Sequence, residues 1–199
     1  MQENKVFTTR NIAKIAVLSA IAYVLMLLEF PLPFAPSFYK FDFSEIAVLL
    51  GGFAMGPAAA VCIEAVKVTL NLIFNGTITM GVGEVANFLI GCALSVPAAV
   101  LYKRHKTKKT AIEGLCLGTL CMTLLGVVLN WLVLIPAYVS LAHFPMDAII
   151  GMGAAIFPAI NSVLKLCILC VAPFNLFKGI VTGGLTMLLY KHVSPILHR

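Results

Sequence analysis

Residues 12–28 read IAKIAVLSAIAYVLMLL, and residues 180–190 read IVTGGLTMLLY. Wound as helices, both runs are apolar around every side, which is typical of helices embedded in lipid. The whole chain is 61% hydrophobic and 11% charged, whereas soluble domains average about 45–50% apolar and about 25% charged residues. The sequence therefore predicts an all-α integral membrane protein. A β-barrel is excluded because its strands would alternate apolar and polar residues.

Prolines, glycines and charge clusters divide a single membrane domain, residues 1–199, into apolar segments. Six transmembrane helices are predicted, at about residues 10–30, 44–55, 57–75, 82–102, 111–138 and 174–191. The second of these segments is short and is bounded by glycines. Residues 146–172 are apolar but are interrupted by Pro158 and followed by Pro173. This stretch is predicted to be a broken or interfacial helical segment, with a re-entrant helix or a seventh span as alternatives.

Basic residues lie in three regions between or beside the predicted spans. They are Lys5, Arg10 and Lys14 before the first span, Lys103, Arg104, Lys106, Lys108 and Lys109 after the fourth, and Lys191 and Arg199 after the last. Lys and Arg near span ends stay on the cytoplasmic side, and the three regions share a side only if an even number of spans separates them. Both termini are therefore predicted to be cytoplasmic, and a seventh span would contradict this charge pattern. No short apolar run with a cleavage site follows Met1, so we expect the first span to remain in the mature protein.

Several chemistries find no support in the residues. The six cysteines lie in apolar stretches, so Cys167 and Cys170 are expected to pack as small hydrophobes rather than to bind metal or undergo redox chemistry. The chain has no phosphate-binding loop and therefore is not itself an ATPase. Its basic residues are not interleaved with aromatics, so we expect them to meet lipid headgroups and not nucleic acid.

Few polar side chains fall inside the predicted spans, and such residues are candidates for function. Glu64 and Lys67 are three residues apart and share a helix face, with Asn71 one turn further on. They form either a structural ion pair with a neighbouring amide or part of a ligand site.

A second candidate site follows Pro173, which is expected to begin the last helix. Asn175 and Lys178 would then lie in its opening turns, on one face, beside free N–H groups and the positive end of the helix dipole. Asn130, followed by Trp131, adds a second amide. Two amides, one ammonium and apolar walls suit a flat heteroaromatic ligand whose edge carries carbonyl groups and ring nitrogens.

Pairs of small residues four apart occur in three predicted spans. They are Ala16 and Ala20, Gly52 and Gly56, and Gly179 and Gly183. Such pairs let another helix approach closely. Internal packing explains any of them, and the Ala16 and Ala20 stripe is also a place where a partner protein could dock.

At these positions the sequence resembles a known family, the substrate-binding S components of energy-coupling-factor (ECF) vitamin transporters, and within it the riboflavin-specific group. The matching stretches run in order along nearly the whole chain. They are Ala16 to Ala22, Phe41-Asp42-Phe43-Ser44-Glu45, Gly56-Pro57 leading to Lys67 and Asn71, Gly83 to Phe88, Asn130-Trp131 with Pro136-Ala137-Tyr138, and Pro173-Phe174-Asn175 with Lys178-Gly179.

The resemblance implies a six-span protein without enzymatic activity or cofactor, which binds riboflavin with high affinity from outside a bacterial cytoplasmic membrane. It also implies partners, namely one transmembrane coupling protein (the T component) and two ABC-type ATPases. Asn130, Asn175 and Lys178 would hold the isoalloxazine edge, and the loop from Pro31 to Phe43 would cover the pocket. The resemblance further extends the substrate site to Glu84, Asn87, Lys67 and Asn71, and it places the coupling protein against Ala16 and Ala20.

Three alternatives stay open from the sequence. The chain could be an S component for another vitamin or small metabolite, because one fold accepts many pockets. It could be an intramembrane enzyme that uses Glu64, Lys67 and Glu84. It could also be a structural membrane subunit that binds no ligand.

Overall fold

The computed structural model describes residues 8–198, with side chains described through residue 192. Lys5 and Arg199, which were used to predict orientation, lie outside these ranges. Seven helices are found in the described chain. They are α1 Thr9–Leu27, α2 Ser44–Met55, α3 Pro57–Asn75, α4 Val82–Arg104, α5 Lys108–Ser140, α6 Met146–Ala154 and α7, which runs through Val163–Leu166, Cys167–Val171 and Ala172–His198. Two short strands, β1 Phe30–Pro31 and β2 Lys40–Phe41, pair antiparallel and close the loop between α1 and α2.

Five of the described helices are long and apolar enough to cross a membrane: α1, α3, α4, α5 and α7. Helix α2 has 12 residues and spans about 18 Å, which is less than the roughly 30 Å of a bilayer core. It is buried on all sides from Ser44 to Phe53 and packs against α1, α3, α4 and α7. A central helix of this kind meets protein instead of lipid, so its length need not match the bilayer.

Close backbone contact holds α5 against α4. A Cβ added at Gly114 would lie 2.8 Å from the carbonyl oxygen of Ala98, and one at Gly118 would collide with the carbonyl of Leu94. The two glycines are four residues apart, so they let the helix backbones touch along one face. This pair was not among the small-residue pairs predicted from the sequence to serve helix contact.

The two glycine pairs that were predicted from the sequence also serve internal packing. A Cβ at Gly179 would lie 2.6 Å from Thr119 on α5, and one at Gly52 would lie 3.1 Å from both Ala60 and Ala99. Gly56 takes a positive φ of 97° in the tight turn between α2 and α3, where a side chain would be strained. Ala16 and Ala20 differ from these glycines because they are exposed on α1.

The last helix departs from the sequence prediction. It begins at Val163 rather than at residue 174, and Pro173 lies inside it. A π turn over Cys167–Val171 precedes the proline, and the N–H of Ala172 donates to the carbonyl of Cys167, five residues back. Proline lacks an N–H and its ring clashes with the carbonyl four residues back in a regular α-helix; the widened π turn accommodates it. The predicted interruption with free N–H groups ahead of Asn175 is therefore wrong.

Helix α5 repeats this arrangement. A π turn over Asn130–Leu134 precedes Pro136, and the N–H of Ile135 donates to the carbonyl of Asn130. The stretch 146–172 is broken at residues 155–162, and its second part from Val163 onward joins the last helix. Its first part, α6, is a helix of 9 residues that is not among the helices able to span a membrane.

Contacts between helix ends define one end of the bundle. The open side of Gly56, between α2 and α3, lies 3.6 Å from the Lys103 side chain at the end of α4. The hydroxyls of Tyr102 and Tyr190 are 3.3 Å apart, which brings the last part of α7 to the same end. The loop between α1 and α2 lies at the other end of the bundle, because Tyr23, near the end of α1, packs on Phe74, at the end of α3 far from Gly56.

Candidate functional site

The Asn130 side chain begins the π turn of α5 and is 3% exposed. Its Nδ2 donates to the carbonyl of Gly126 at 2.8 Å, and its Oδ1 accepts from the Tyr39 hydroxyl at 2.6 Å. A carbonyl oxygen only accepts hydrogen bonds, so the Gly126 contact identifies the amide nitrogen and fixes which way the amide faces. Asn130 therefore presents its oxygen towards the loop between α1 and α2.

Asn175 lies beside Asn130, on α7. Its side chain is 5% exposed, and its Nδ2 donates to the carbonyl of Val171 at 3.0 Å. A Cβ added at Gly126 would lie 2.6 Å from this Nδ2. Gly126 thus holds one amide through its carbonyl and makes room for the other, so the two asparagines lie close together.

The ammonium of Lys178 lies three residues after Asn175 on the same helix. It donates to Oδ2 of Asp42 at 2.7 Å, and Oδ1 of Asp42 accepts from the N–H of Ser44 at 2.8 Å. Burial alone would raise the pKa of Asp42, but Lys178, Lys67 and these hydrogen bonds outweigh burial and lower the pKa from 3.8 to about 2. Asp42 is therefore a carboxylate at neutral pH and neutralises Lys178.

A second group of charges adjoins the first. Nζ of Lys67 lies 2.8 Å from Glu45 and 2.6 Å from Glu64, and all three side chains are at most 1% exposed. The ammonium also donates to Oγ of Ser44 at 3.3 Å, next to Asp42. Apart from the ion pair between Lys67 and Oε1 of Glu64, the oxygens of Glu64 and Oε2 of Glu45 have no hydrogen-bond partner in the described part of the chain. The pairing of Glu64 with Lys67 agrees with the sequence, whereas Glu45 comes from another helix.

These contacts form one buried polar network of five charged side chains. Its members are Asp42, Glu45, Glu64, Lys67 and Lys178, and Ser44 bridges the two halves. Three carboxylates face two ammoniums, so the group carries one excess negative charge if all five are ionised. Gly91 on α4 leaves the space that the carboxyl of Glu64 occupies, because an added Cβ there would collide with it.

The loop between α1 and α2 covers this region with aromatic side chains. Tyr39 packs on Phe38 with ring centroids 4.4 Å apart and on Phe174 of α7 at 5.9 Å. Phe41 is 1% exposed and packs on Phe177 of α7 at 5.7 Å. Burial, with smaller effects of Cys167, Tyr138 and Cys170, raises the pKa of Tyr39 well above its usual value, so its hydroxyl keeps its proton and acts as a donor.

Three predicted site residues lie outside both the charged network and the pair of asparagines. Glu84 accepts from the Thr77 hydroxyl at 2.9 Å, and Asn71 accepts from Asn75 at 2.7 Å. Asn87 is half-buried on α4. An apolar cavity of about 320 Å³ opens between the start of α4 and the π turn of α5. It is lined by Met80, Gly81, Val82, Val85, Ala86, Leu89, Leu129 and Val133.

Sequence reasoning missed several residues that build the site. Glu45, Gly91 and Gly126 were given no role, and Tyr39 was included only as part of the loop from Pro31 to Phe43. Asp42 and Glu45 do belong to the motif Phe41-Asp42-Phe43-Ser44-Glu45 that supported the family resemblance. The motif therefore pointed to these residues, but it did not predict that their carboxylates pair with lysines. Cys167 and Cys170 are buried and unpaired, and no group of side chains in residues 8–192 has the arrangement of a metal site.

Taken together, the fold and this site define a multi-pass α-helical membrane protein with a buried polar network beneath a loop at one end of its bundle. A family model described as "ECF transporter, substrate-specific component" matches residues 10–190. The chain belongs to this family, as its sequence motifs indicated.

Individual relatives match over nearly their full length. The "Riboflavin transporter FmnP" of Bacillus subtilis (strain 168) is 34% identical over 192 residues, covering 96% of this chain and 95% of that protein. The "Riboflavin transporter RibU" of Staphylococcus aureus (strain TCH60) is 36% identical, and the match covers 100% of this chain and 95% of that protein. A solved structure entitled "Structure and mechanism of the S component of a bacterial ECF transporter" matches with a TM-score of 0.72 and 34% identity, over 94% of this chain and 97% of that one.

Family membership confirms the prediction of a transporter component that is not an enzyme. The alternative of an intramembrane enzyme also loses its structural basis. Glu64 meets α4 at Gly91, whereas Glu84 lies seven residues earlier, about 10 Å along that helix, and pairs with Thr77.

Proposed function

We propose that this chain is the riboflavin-binding subunit of an ECF transporter and takes up the vitamin with an ATP-driven module. One observation carries the proposal: Asn130, Asn175 and Lys178 are buried side by side beneath an aromatic loop. The relatives named above as riboflavin transporters, 34% and 36% identical over nearly the whole chain, support the choice of vitamin.

The hydrogen-bonding capacity of these side chains suits an isoalloxazine edge, which alternates carbonyl oxygens with a ring N–H. After its bonds to Gly126 and Tyr39, Asn130 keeps one N–H and one lone pair. Asn175 keeps one N–H and its oxygen, and Lys178 keeps two of its three donors. Aromatic side chains of the loop would pack against the ring.

The remaining predicted site residues take lesser roles in this proposal. Glu84 and Asn87 lie on the α4 segment that borders the apolar cavity, and they would meet the polar end of the ligand. Lys67 is enclosed by Glu45 and Glu64 and would act through the network rather than by touching the vitamin. Asn71, bonded to Asn75, stays a prediction that rests on the resemblance alone.

We infer six crossings, with both termini in the cytoplasm. The short helix α2, enclosed by the other helices, would be one of these crossings and would begin from the turn at Gly56, and the loop between α1 and α2 would cover its outer end. Support comes from the end of the bundle where Gly56, Lys103 and Tyr190 meet, because the basic residues after α4 and near the end of α7 lie there. The membrane would be the bacterial cytoplasmic membrane.

The transport module would consist of one transmembrane coupling protein and two ABC-type ATPases. This chain has no phosphate-binding loop of its own. Ala16 and Ala20, exposed on α1, would form the surface that the coupling protein contacts.

A titration of detergent-purified protein tests the proposal. Bound flavin is stripped and identified by its absorption, and riboflavin is then added while quenching of the single tryptophan, Trp131, is followed. We expect saturable binding of one riboflavin per chain. Asn175→Ala should weaken binding about tenfold or more, since a buried hydrogen-bonding group is lost.

Matched variants make the result specific. Asn75→Ala removes an exposed amide on α3 and should leave the dissociation constant unchanged. A chain that retains no flavin and shows no saturable quenching would contradict the proposal, and the search would turn to other vitamins. Equal binding by the wild type and Asn175→Ala would contradict the proposed site while leaving the vitamin in place.

A further inference from the structure

The loop between α1 and α2 bonds to two of the three side chains proposed to hold the vitamin. Tyr39 donates to Oδ1 of Asn130 at 2.6 Å, and Asp42 accepts from Nζ of Lys178 at 2.7 Å. Tyr39 and Asp42 stand on one short segment, whereas Asn130 and Lys178 stand on α5 and α7. One loop thus contacts both walls of the site.

Each of these two hydrogen bonds leaves further hydrogen-bonding capacity on the side chain that it contacts. An amide oxygen has two lone pairs and an ammonium has three N–H donors, so Asn130 and Lys178 each keep capacity for a ligand. A loop that merely plugged an empty site would not need to leave these groups available. The count of donors and acceptors favours loop contacts that persist when a ligand is bound.

Each bond also fixes a feature that the ligand would meet. Without Tyr39, Asn130 would be held by one hydrogen bond to Gly126, and its oxygen would lose the donor that sets its direction. Without Asp42, Lys178 would be a charge buried beside two amides with no counter-ion in contact. Buried polar groups bind best when their own partners already hold them in place.

We propose that Tyr39 and Asp42 are positioning residues, which orient Asn130 and Lys178 for the ligand when the loop closes. The inference rests on the proposed riboflavin site and adds that the site is complete only with the loop in place. The polar edge of the vitamin would be held by helices α5 and α7, and the loop would raise the affinity through these two contacts in addition to packing on the ring.

The test compares two tyrosine variants that each lose one hydroxyl. Tyr39→Phe keeps the ring and its packing on Phe38 and Phe174 but loses the bond to Asn130. Tyr190→Phe loses a hydroxyl contact with Tyr102 at the other end of the bundle. We expect Tyr39→Phe to raise the riboflavin dissociation constant about tenfold, as for one lost buried hydrogen bond, and Tyr190→Phe to leave it unchanged.

A double-mutant cycle separates positioning from a general effect on the loop. In an Asn130→Ala background, Tyr39→Phe should cause no further loss of affinity, because the hydroxyl would act only through that amide. Asp42→Asn should also weaken binding, whereas Asp147→Asn, which changes an exposed carboxylate on α6, should not.

The outcomes distinguish this inference from the proposed function. If the wild type binds riboflavin and Tyr39→Phe binds it equally well, the positioning role is overturned, whereas the proposal that the chain binds riboflavin is retained. Tighter binding by Tyr39→Phe would show that the hydroxyl competes with the ligand and would also overturn it. If the wild type binds no riboflavin, both proposals fail.

Hydrogen exchange in residues 30–43 of the ligand-free protein gives an independent reading, because unchanged exchange in Tyr39→Phe and Asp42→Asn would mean that these bonds do not hold the loop.

Discussion

Gly126 is the residue on which the arrangement of the two amides depends. Its carbonyl accepts from Asn130, and the space where its side chain would be is filled by Asn175. Nothing in the local sequence around Gly126 reveals this role, because Asn175 comes from a helix that is distant in the chain. Spacing within one helix predicted the pairing of Glu64 with Lys67, but contacts between helices need the fold.

We expect Gly126→Ala to impair ligand binding without unfolding the protein. The new methyl group would lie 2.6 Å from Nδ2 of Asn175, so this amide must move. The loss of one well-placed hydrogen bond corresponds to about a tenfold higher riboflavin dissociation constant. Gly184→Ala on α7 is the control, because no atom lies within 4 Å of its added Cβ. Equal affinities of the two variants would contradict this account of Gly126.

The second prediction concerns the lysine shared by two carboxylates. Lys67→Met would leave Glu45 and Glu64 buried without a counter-ion in contact, and breaking a buried ion pair in this way costs about 3–5 kcal/mol. Glu64→Gln should cost much less, because it removes the excess negative charge and leaves Lys67 paired with Glu45. Thermal unfolding in detergent measures the difference. A Glu64→Gln variant as unstable as Lys67→Met would contradict the charge balance.

Asp42 makes the stability of the protein depend on acid pH. Its pKa falls from 3.8 to about 2 on folding, so the stabilisation is fully present above about pH 4 and is lost as the pH falls towards 2. The shift corresponds to about 2 kcal/mol. Asp42→Asn should lower stability at pH 7 and flatten the dependence between pH 4 and 2, as followed by unfolding of the detergent-solubilised protein. An unchanged acid profile in this variant would show that other groups titrate there.

At the scale of elements, the two π turns show where sequence patterns were insufficient. One residue separates each π turn from the proline that follows it, Pro136 in α5 and Pro173 in α7. A proline in an apolar segment predicts an interruption, and for this reason the last span was predicted to begin at residue 174, whereas the helix begins at Val163. The widened turn was not foreseeable from composition, because a helix can relieve the clash with a proline either by ending or by widening one turn. The apolar segments themselves were predictable, and so was the glycine-bounded turn at Gly56.

Removing one residue from the second π turn should restore regular helix and disturb the site. We propose deleting Ile168, which is 52% exposed. The deletion would bring the Pro173 ring against a carbonyl, at a cost of about 3 kcal/mol, and would rotate the preceding residues by about 100°. The expected result is a lower melting temperature and loss of riboflavin retention.

Substitution at the same position is the matched control for the deletion. Ile168→Ala keeps the chain length and the π turn, and it removes side-chain atoms from an exposed face. This variant should retain riboflavin with wild-type affinity. If the deletion also retained riboflavin at wild-type affinity, the π turn would not be what aligns Asn175 with Asn130.

For the whole molecule, charge and hydropathy predicted an all-helical membrane protein but could not predict the length or burial of α2. Its apolar residues from Ile46 to Phe53 face other helices, and an apolar helix reads the same in sequence whether protein or lipid surrounds it. The exposed apolar residues of α1, including Val17 and Val24, face away from the bundle. Ala16 and Ala20 are also exposed on α1, and small side chains of this kind let another helix approach closely.

This surface leads to a prediction about transport as distinct from binding. Replacing both Ala16 and Ala20 by leucine should prevent close approach of a second helix while leaving the buried network untouched. We expect riboflavin binding by the purified variant to be unchanged. Riboflavin uptake by cells that also contain the coupling module should be largely lost, together with co-purification of the coupling protein.

Val17→Leu is the control for this double variant, because it enlarges another exposed residue of α1 that points about 100° away from Ala16 around the helix. Its uptake and co-purification should equal those of the wild type. Full uptake by the double leucine variant would place the coupling surface on another helix. Loss of both binding and uptake would instead mean that the exposed face of α1 supports the bundle itself, because a pure docking surface affects transport only after the vitamin has been captured.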